Sequence, residues 1–130
     1  MRPADRVMQS YGRCCASDTF FDDFYEQFLS SSPEIADKFR KTDMSAQKHL
    51  LRAGILNLVL HARGMPDTKL RALGESHSRS KLDIRPELYG LWVGALLRTV
   101  RRHDSKATGD DLEAWEQVLN QGISIIKAGY

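Results

Sequence analysis

One histidine stands where its imidazole could ligate a metal ion or a haem iron. His77 follows a short segment in which Leu70 and Leu73 share its side of a helix. A polar, basic loop comes next, and Pro86 then restarts the chain as a new helix. A histidine at the end of a short helix, facing the first turn of a long one, could ligate such a metal. Because a lone helical histidine is usually a surface residue, this interpretation needs support from the other helices.

Two further polar groups lie on otherwise apolar helix faces. Tyr25 shares the densest aromatic face with Phe21, Phe24 and Phe28, and a buried phenol needs a hydrogen-bond partner. Gln47 lies one turn ahead of an apolar stripe, where an unpaired amide would be costly. Plain core packing explains most of the aromatic residues, and Gln47 is the one polar member of its face.

The elements that must position these residues are all helical. No segment keeps a period of two, and no Asn-Gly or Asp-Gly hairpin dipeptide occurs. Apolar spacing and breaks predict six or seven helices, two of them short. Five of them span about residues 4–15, 33–39, 46–62, 86–102 and 110–130. Another follows Ser17 or Asp18 and carries residues 21–29, and a short one follows the break at 64–67 and reaches His77. Their expected capping residues are Ser17 or Asp18, Ser32, Asp43 or Ser45, and Thr108 with Asp111.

Composition and charge narrow the class of protein. The 130 residues predict one domain, 1–130, and the net charge of +2 is scattered, which argues against nucleic-acid binding. A run ending in His103 and Lys106 is expected to be an exposed basic helix end. No segment approaches about 20 apolar residues, so neither a secretory signal nor a membrane span is expected. Adjacent Cys14 and Cys15 match no CxxCH motif and suggest reduced thiols in the cytoplasm.

Unequal helix lengths favour an all-α fold of pairwise-crossed helices around a pocket, and at this point the residues resemble the globin family. Bacterial single-domain haemoglobins and the haem domain of flavohaemoglobins are the most similar in pattern. The segment DFYEQFLSSSPEIADKF resembles their second and third helices, with Phe39 fourteen residues after Tyr25. Gln47 and Leu51 resemble the distal glutamine and leucine of that family. His77 takes the position of its proximal ligand.

The resemblance continues to the end of the pattern. Arg85 to Tyr89 (RPELY) resembles the opening of the next globin helix, where the tyrosine borders the proximal histidine. Trp115 matches a tryptophan of the final helix. The resemblance spans about residues 20–126 and implies a globin-like fold of six to seven helices around non-covalent haem b. The implied cofactor-binding residues are Tyr25, Phe39, Gln47, Leu50, Leu51, Leu73, His77, Ile84, Tyr89 and Trp92, with His77 as the iron ligand.

In that pattern Tyr25 and Gln47 would donate hydrogen bonds to a gas bound on the distal side, with Tyr25 the stronger donor. The alternative is that the Tyr25 hydroxyl bonds a backbone carbonyl and only fills the core. A carbonyl near Leu73 or the Ser76 hydroxyl would orient His77. His49 is expected at the surface or the pocket rim.

Two departures from the pattern affect these expectations. The loop between His77 and Pro86 is longer than in flavohaemoglobins, and Arg79 or Lys81 within it are the candidate partners of the haem propionates. The family places a glutamate of the proximal hydrogen-bond network at about the position of Tyr130. No flavin- or nicotinamide-binding sequence follows, so we expect no sustained turnover without a separate reductase.

Three functions remain open at this stage. The first is a haem protein that reversibly binds oxygen, or nitric oxide or carbon monoxide, for transport or sensing. The second is a haem enzyme, a nitric-oxide dioxygenase or peroxidase served by a separate reductase. The third is a helical interaction domain without haem. The physiological ligand and the oligomeric state do not follow from the sequence.

Overall fold

The computed structural model describes residues 1–130 and contains seven α-helices and no strand, which confirms the all-α prediction. The helices are α1 (Pro3–Cys15), α2 (Phe20–Leu29), α3 (Pro33–Lys38), α4 (Met44–Ala62), α5 (Thr68–Ser76), α6 (Leu88–His103) and α7 (Gly109–Ala128). None of the seven helices combines the length and the apolar character that a membrane span requires.

Side-chain caps fix the starts of three helices as the sequence predicts. The Ser32 hydroxyl accepts the Glu34 N–H at 3.2 Å at the start of α3. Asp43 caps α4 by accepting two backbone N–H groups, and Thr108 forms a capping box with Asp111 at the start of α7. Each satisfies donors that the first turn of a helix leaves without partners.

The start of α2 differs from the prediction. Its N-cap residue is Thr19, whose side chain makes no capping hydrogen bond, so the predicted caps Ser17 and Asp18 are wrong. The Ser17 hydroxyl lies 2.8 Å from the His103 Nδ1 atom instead. The hydroxyl also accepts the Thr19 N–H at 3.4 Å, but Thr19 precedes α2, so no donor of the first helical turn is capped by Ser17.

His103 also departs from the expectation of an exposed basic end. Arg101, Arg102 and Lys106 are exposed, but the His103 side chain is only 9% exposed. Its Nε2 atom lies 2.5 Å from a carboxylate oxygen of Asp23 on α2. The end of α6 packs against the start of α2, and this pairing buries the imidazole.

Helix α7 is the central element of the core. It contacts α1, α4, α5 and α6, and its Trp115 and Leu119 are fully buried. Helix α2 packs mainly on α6, so its aromatic face is covered. The apolar stripes seen in the sequence therefore face one another, and their burial is the main source of stability.

A buried polar network fastens α1 to the connection between α6 and α7. The Asp104 carboxylate accepts hydrogen bonds from the Ser10 hydroxyl (2.6 Å) and the Arg13 Nε atom (2.7 Å). The Trp115 indole N–H donates to the Ser10 hydroxyl at 2.9 Å. Burial alone would raise the pKa of Asp104, but these hydrogen bonds and one from the Lys106 N–H hold that pKa below its usual value.

Candidate functional site

A largely apolar cavity of about 730 Å³ lies between α4, α5 and α6, with contributions from α2, α3 and α7. This volume falls in the range of about 300–1,000 Å³ typical of small-molecule sites. The cavity brings together all the cofactor-binding residues that the sequence predicts: Tyr25, Phe39, Gln47, Leu50, Leu51, Leu73, His77, Ile84, Tyr89 and Trp92.

The apolar walls come from several helices. Leu51 and Ile126 are buried, on α4 and α7 respectively. Leu50 and Leu82 also line the cavity although they are 63% and 61% exposed, which places them at its mouth. Ile126 was not identified as a cavity residue from the sequence, because its spacing on α7 does not distinguish a cavity wall from packed interior.

His77 lies at the C-terminal end of α5, and its orientation is set from α6. Its backbone N–H donates to the Leu73 carbonyl at 3.0 Å, which closes the last helical turn. Its Nδ1 atom lies 2.8 Å from the Tyr89 hydroxyl. The predicted orienting groups are wrong, because the Ser76 hydroxyl donates to the Leu73 carbonyl at 2.9 Å and the imidazole bonds the phenol instead.

Burial controls the charge of this pair. It lowers the pKa of His77 below its ordinary value and raises the pKa of Tyr89 to about 12. Both side chains are therefore neutral near pH 7. With Nδ1 occupied by Tyr89, Nε2 is the imidazole nitrogen left for another bond.

Tyr25 on α2 and Gln47 on α4 are in contact with each other. The Tyr25 side chain is buried, and its hydroxyl donates to the backbone carbonyl of Gln47 at 3.2 Å. Burial raises the pKa of Tyr25 to about 12, so the phenol keeps its proton. The alternative that the Tyr25 hydroxyl bonds a backbone carbonyl is thus observed. The side chains of Tyr25 and Gln47 nevertheless both line the cavity.

The charged side chains that line the cavity are both lysines, Lys38 on α3 and Lys69 on α5. The Lys38 Nζ atom lies 3.5 Å from the Leu82 carbonyl oxygen. Neither lysine was identified from the sequence. Helical spacing could have found Lys69, which lies four residues before Leu73 and eight before His77 on the same side of α5.

The two basic residues proposed from the sequence lie elsewhere. The Arg79 guanidinium stacks over the Tyr130 ring at 5.0 Å, and the Lys81 Nζ atom pairs with Glu75 at 3.1 Å. Neither lines the cavity, and their partners lie outside it, Tyr130 just beyond α7 and Glu75 on α5.

The remaining histidines lie outside the cavity. His49 is exposed and lines a separate shallow pocket with Lys48, and His61 is half-buried near the end of α4. No group of three or more His, Cys, Asp or Glu side chains is arranged to hold a metal ion. A metal held by His77 would therefore need its other ligands from a bound cofactor.

Comparison with known proteins agrees with this geometry. The globin family model matches residues 22–126. A crystal structure of a Pseudomonas aeruginosa protein, described as structurally highly homologous to a human haemoglobin, is 64% identical to this chain. The structural alignment includes 99% of this chain and 98% of the Pseudomonas chain, with a TM-score of 0.98. No match was found among curated proteins. The family match spans most of the chain and the structural match nearly all of it, and we conclude that the chain belongs to the globin family.

Proposed function

We propose that this globin binds haem b without a covalent link, with His77 as the iron ligand, and that it reversibly binds a diatomic gas. Membership of the globin family supports haem as the cofactor. The observation that carries the assignment to His77 is its bond to Tyr89. One ring nitrogen is occupied, the other is free, and the imidazole lines an apolar cavity.

The residues present suit the chemical character of haem. A flat apolar ring fits a cavity lined mostly by hydrophobic side chains, including Phe39, Leu51 and Trp92. The two haem carboxylates need cations or solvent, and Lys38 and Lys69 are the charged residues of the lining. No carboxylate lines the cavity to repel them.

Tyr89 would select the tautomer of His77 that can ligate iron. For the Nε2 lone pair to be free, the Nδ1 atom must carry the proton, and the Nδ1–H group then donates a hydrogen bond to the phenol oxygen. The raised pKa of Tyr89, about 12, keeps this oxygen neutral. His77 then remains a neutral imidazole with a fixed orientation.

Haem held in this way would supply an iron with one open position for a small gas. On that side Tyr25 and Gln47 would stabilise a ligand that gains partial negative charge. Tyr25 must exchange its hydrogen bond with the Gln47 carbonyl for one with the ligand. The net stabilisation of the bound gas is therefore the difference in free energy between these two hydrogen bonds. This difference would slow release of the gas only moderately.

Absorption spectra of the purified protein in ferric, ferrous and carbon monoxide-bound forms test the proposal. We expect a haem Soret band that shifts on reduction and again on adding carbon monoxide. A protein that shows no such band, even after haem is added in excess, would rule out the proposed function. A band that carbon monoxide leaves unchanged would contradict gas binding while leaving haem binding in place.

A further inference from the structure

The segment between His77 and Ile84 forms a tight loop that carries part of the cavity wall. Within it the Asp83 N–H donates to the Ser78 carbonyl at 2.8 Å. The loop closes on α5 through the Ile84 N–H, which donates to the His77 carbonyl at 2.9 Å. Leu82 and Ile84 both line the cavity. The position of this loop therefore affects the wall next to His77.

Asp83 holds an unusual backbone conformation. Its φ of +51° is the only positive value among the non-glycine residues. Such a conformation costs energy, although aspartate tolerates it better than most residues, and it persists when surrounding contacts fix it. The Asp83 side chain makes one such contact.

That contact comes from Tyr130, which lies just beyond α7. The Tyr130 hydroxyl donates to the Asp83 carboxylate at 2.5 Å. The Tyr130 carbonyl accepts the Arg79 backbone N–H at 3.3 Å, and the Arg79 guanidinium stacks over the ring at 5.0 Å. Three contacts of different kinds thus join Tyr130 to both ends of the loop.

Close packing of two backbones brings Tyr130 to this place. A Cβ atom on Gly74 would lie 2.8 Å from the Ile126 carbonyl oxygen, and one on Gly129 would lie 2.9 Å from the Gly74 carbonyl carbon. Only glycine allows α5 and the end of α7 to approach so closely. Gly74 is three residues before His77, so Tyr130 is held at a fixed place relative to the candidate ligand.

We propose that Tyr130 is a positioning residue of the haem pocket: by fixing Asp83 and Arg79 it holds Leu82 and Ile84 against the haem and restricts movement of His77. This role rests on the proposed function. Tyr130 does not line the cavity, so it acts through the loop rather than by contact with the cofactor.

The test compares Tyr130→Phe with the parent protein in the haem-loaded state. This change keeps the ring and its stacking with Arg79 but removes the hydroxyl. Tyr11→Phe is the matched control for loss of a tyrosine hydroxyl. The Tyr11 hydroxyl is buried without a hydrogen-bond partner, and Tyr11 does not line the cavity. Asp83→Asn is a second variant, which keeps an acceptor without the charge and suits the positive φ.

Three measurements are needed: amide hydrogen exchange at Ile84, the rate of haem transfer to an apo-haem acceptor, and the iron–histidine stretching band of the ferrous protein. In Tyr130→Phe we expect exchange at Ile84 and haem loss to be about twofold to fivefold faster, as for a partly exposed charged contact. The iron–histidine band should shift or broaden. Asp83→Asn should act in the same direction more weakly, and should add little to Tyr130→Phe.

Each failure has a distinct signature. Unchanged exchange at Ile84 in Tyr130→Phe would overturn the role of Tyr130 in holding the loop. Faster exchange with parental haem loss and an unshifted band would overturn the positioning of the pocket. If the parent protein takes up no haem, the proposed function fails and the positioning role fails with it, while exchange at Ile84 still reports on the loop.

Discussion

Replacing Tyr25 by phenylalanine should speed the release of oxygen from the haem-loaded protein. The change removes one hydroxyl and preserves the ring that packs in the buried aromatic face. A hydrogen bond to a ligand with partial charge contributes about 1.5–3 kcal/mol, and a neutral one about 0.5–1.5 kcal/mol. In the parent protein the hydroxyl leaves the Gln47 carbonyl when it bonds the ligand.

With the middle of each range, the expected effect is the difference, about 1.25 kcal/mol, or roughly eightfold in the oxygen dissociation rate. If Tyr25 had no bond to the Gln47 carbonyl, the free-energy cost of Tyr25→Phe would equal the whole energy of the hydrogen bond to the ligand. The rate in the parent should be flat from about pH 6 to pH 9, because burial raises the pKa of Tyr25 to about 12 and the phenol stays protonated.

Stopped-flow replacement of oxygen by carbon monoxide measures this rate. Gln47→Leu should give a smaller increase, and carbon monoxide release should change little in either variant because that ligand is less polarised. Tyr11→Phe serves as the control for loss of a buried phenol elsewhere in the core. An unchanged oxygen rate in Tyr25→Phe, with the haem spectrum intact, would mean that the hydroxyl bonds only the Gln47 carbonyl and fills the core.

Three further predictions concern α5, the histidine at its end and its packing on α7. His77→Ala should lose most of its haem or hold it only when imidazole is supplied, and a parental spectrum in that variant would refute the ligand assignment. Because burial lowers the pKa of His77 below its unfolded value of about 6.5, the haem-free protein should lose stability as the pH falls below that value. Urea unfolding at pH 5 and pH 7 should show a smaller difference in His77→Gln, and an equal difference would contradict the assignment. Gly74→Ala should destabilise the fold by about 1–3 kcal/mol because its Cβ would meet the Ile126 carbonyl. Gly90→Ala, with nothing within 4 Å, should be neutral or stabilising, and equal unfolding midpoints for the two variants would show that α5 and α7 can move apart.

Helical periodicity carried most of the prediction from the sequence. It reports which residues share a face, and faces decide what lines a cavity between helices. Leu73 and His77 were found in this way, and the resemblance to globins identified Tyr25, Gln47 and Leu51 as residues of the site. Local capping rules succeeded where the cap and its partner are neighbours, as at Ser32.

Long-range side-chain partners could not be predicted in the same way. The resemblance to globins placed Tyr89 beside His77, although spacing alone did not show the bond between them. The pairing of His103 with Asp23 and the contact of Tyr130 with the loop join distant parts of the chain and had no signal of either kind. Spacing within one helix contains no information on which group of another helix lies opposite. Ser17, one of the misassigned caps before α2, also has a long-range partner, since its hydroxyl lies 2.8 Å from the His103 Nδ1 atom on α6.

The pairing of α1 with α7 has a consequence for synthesis of the chain. The indole of Trp115 bonds Ser10 across a separation of 105 residues. At roughly 5–20 residues per second, the ribosome needs about 5–20 s to make the chain between them. During that interval the apolar face of α1, including Val7, has no partner on α7. A nascent chain must therefore wait with this surface uncovered, where chaperones or other chains can bind it, until α7 emerges and the core can close.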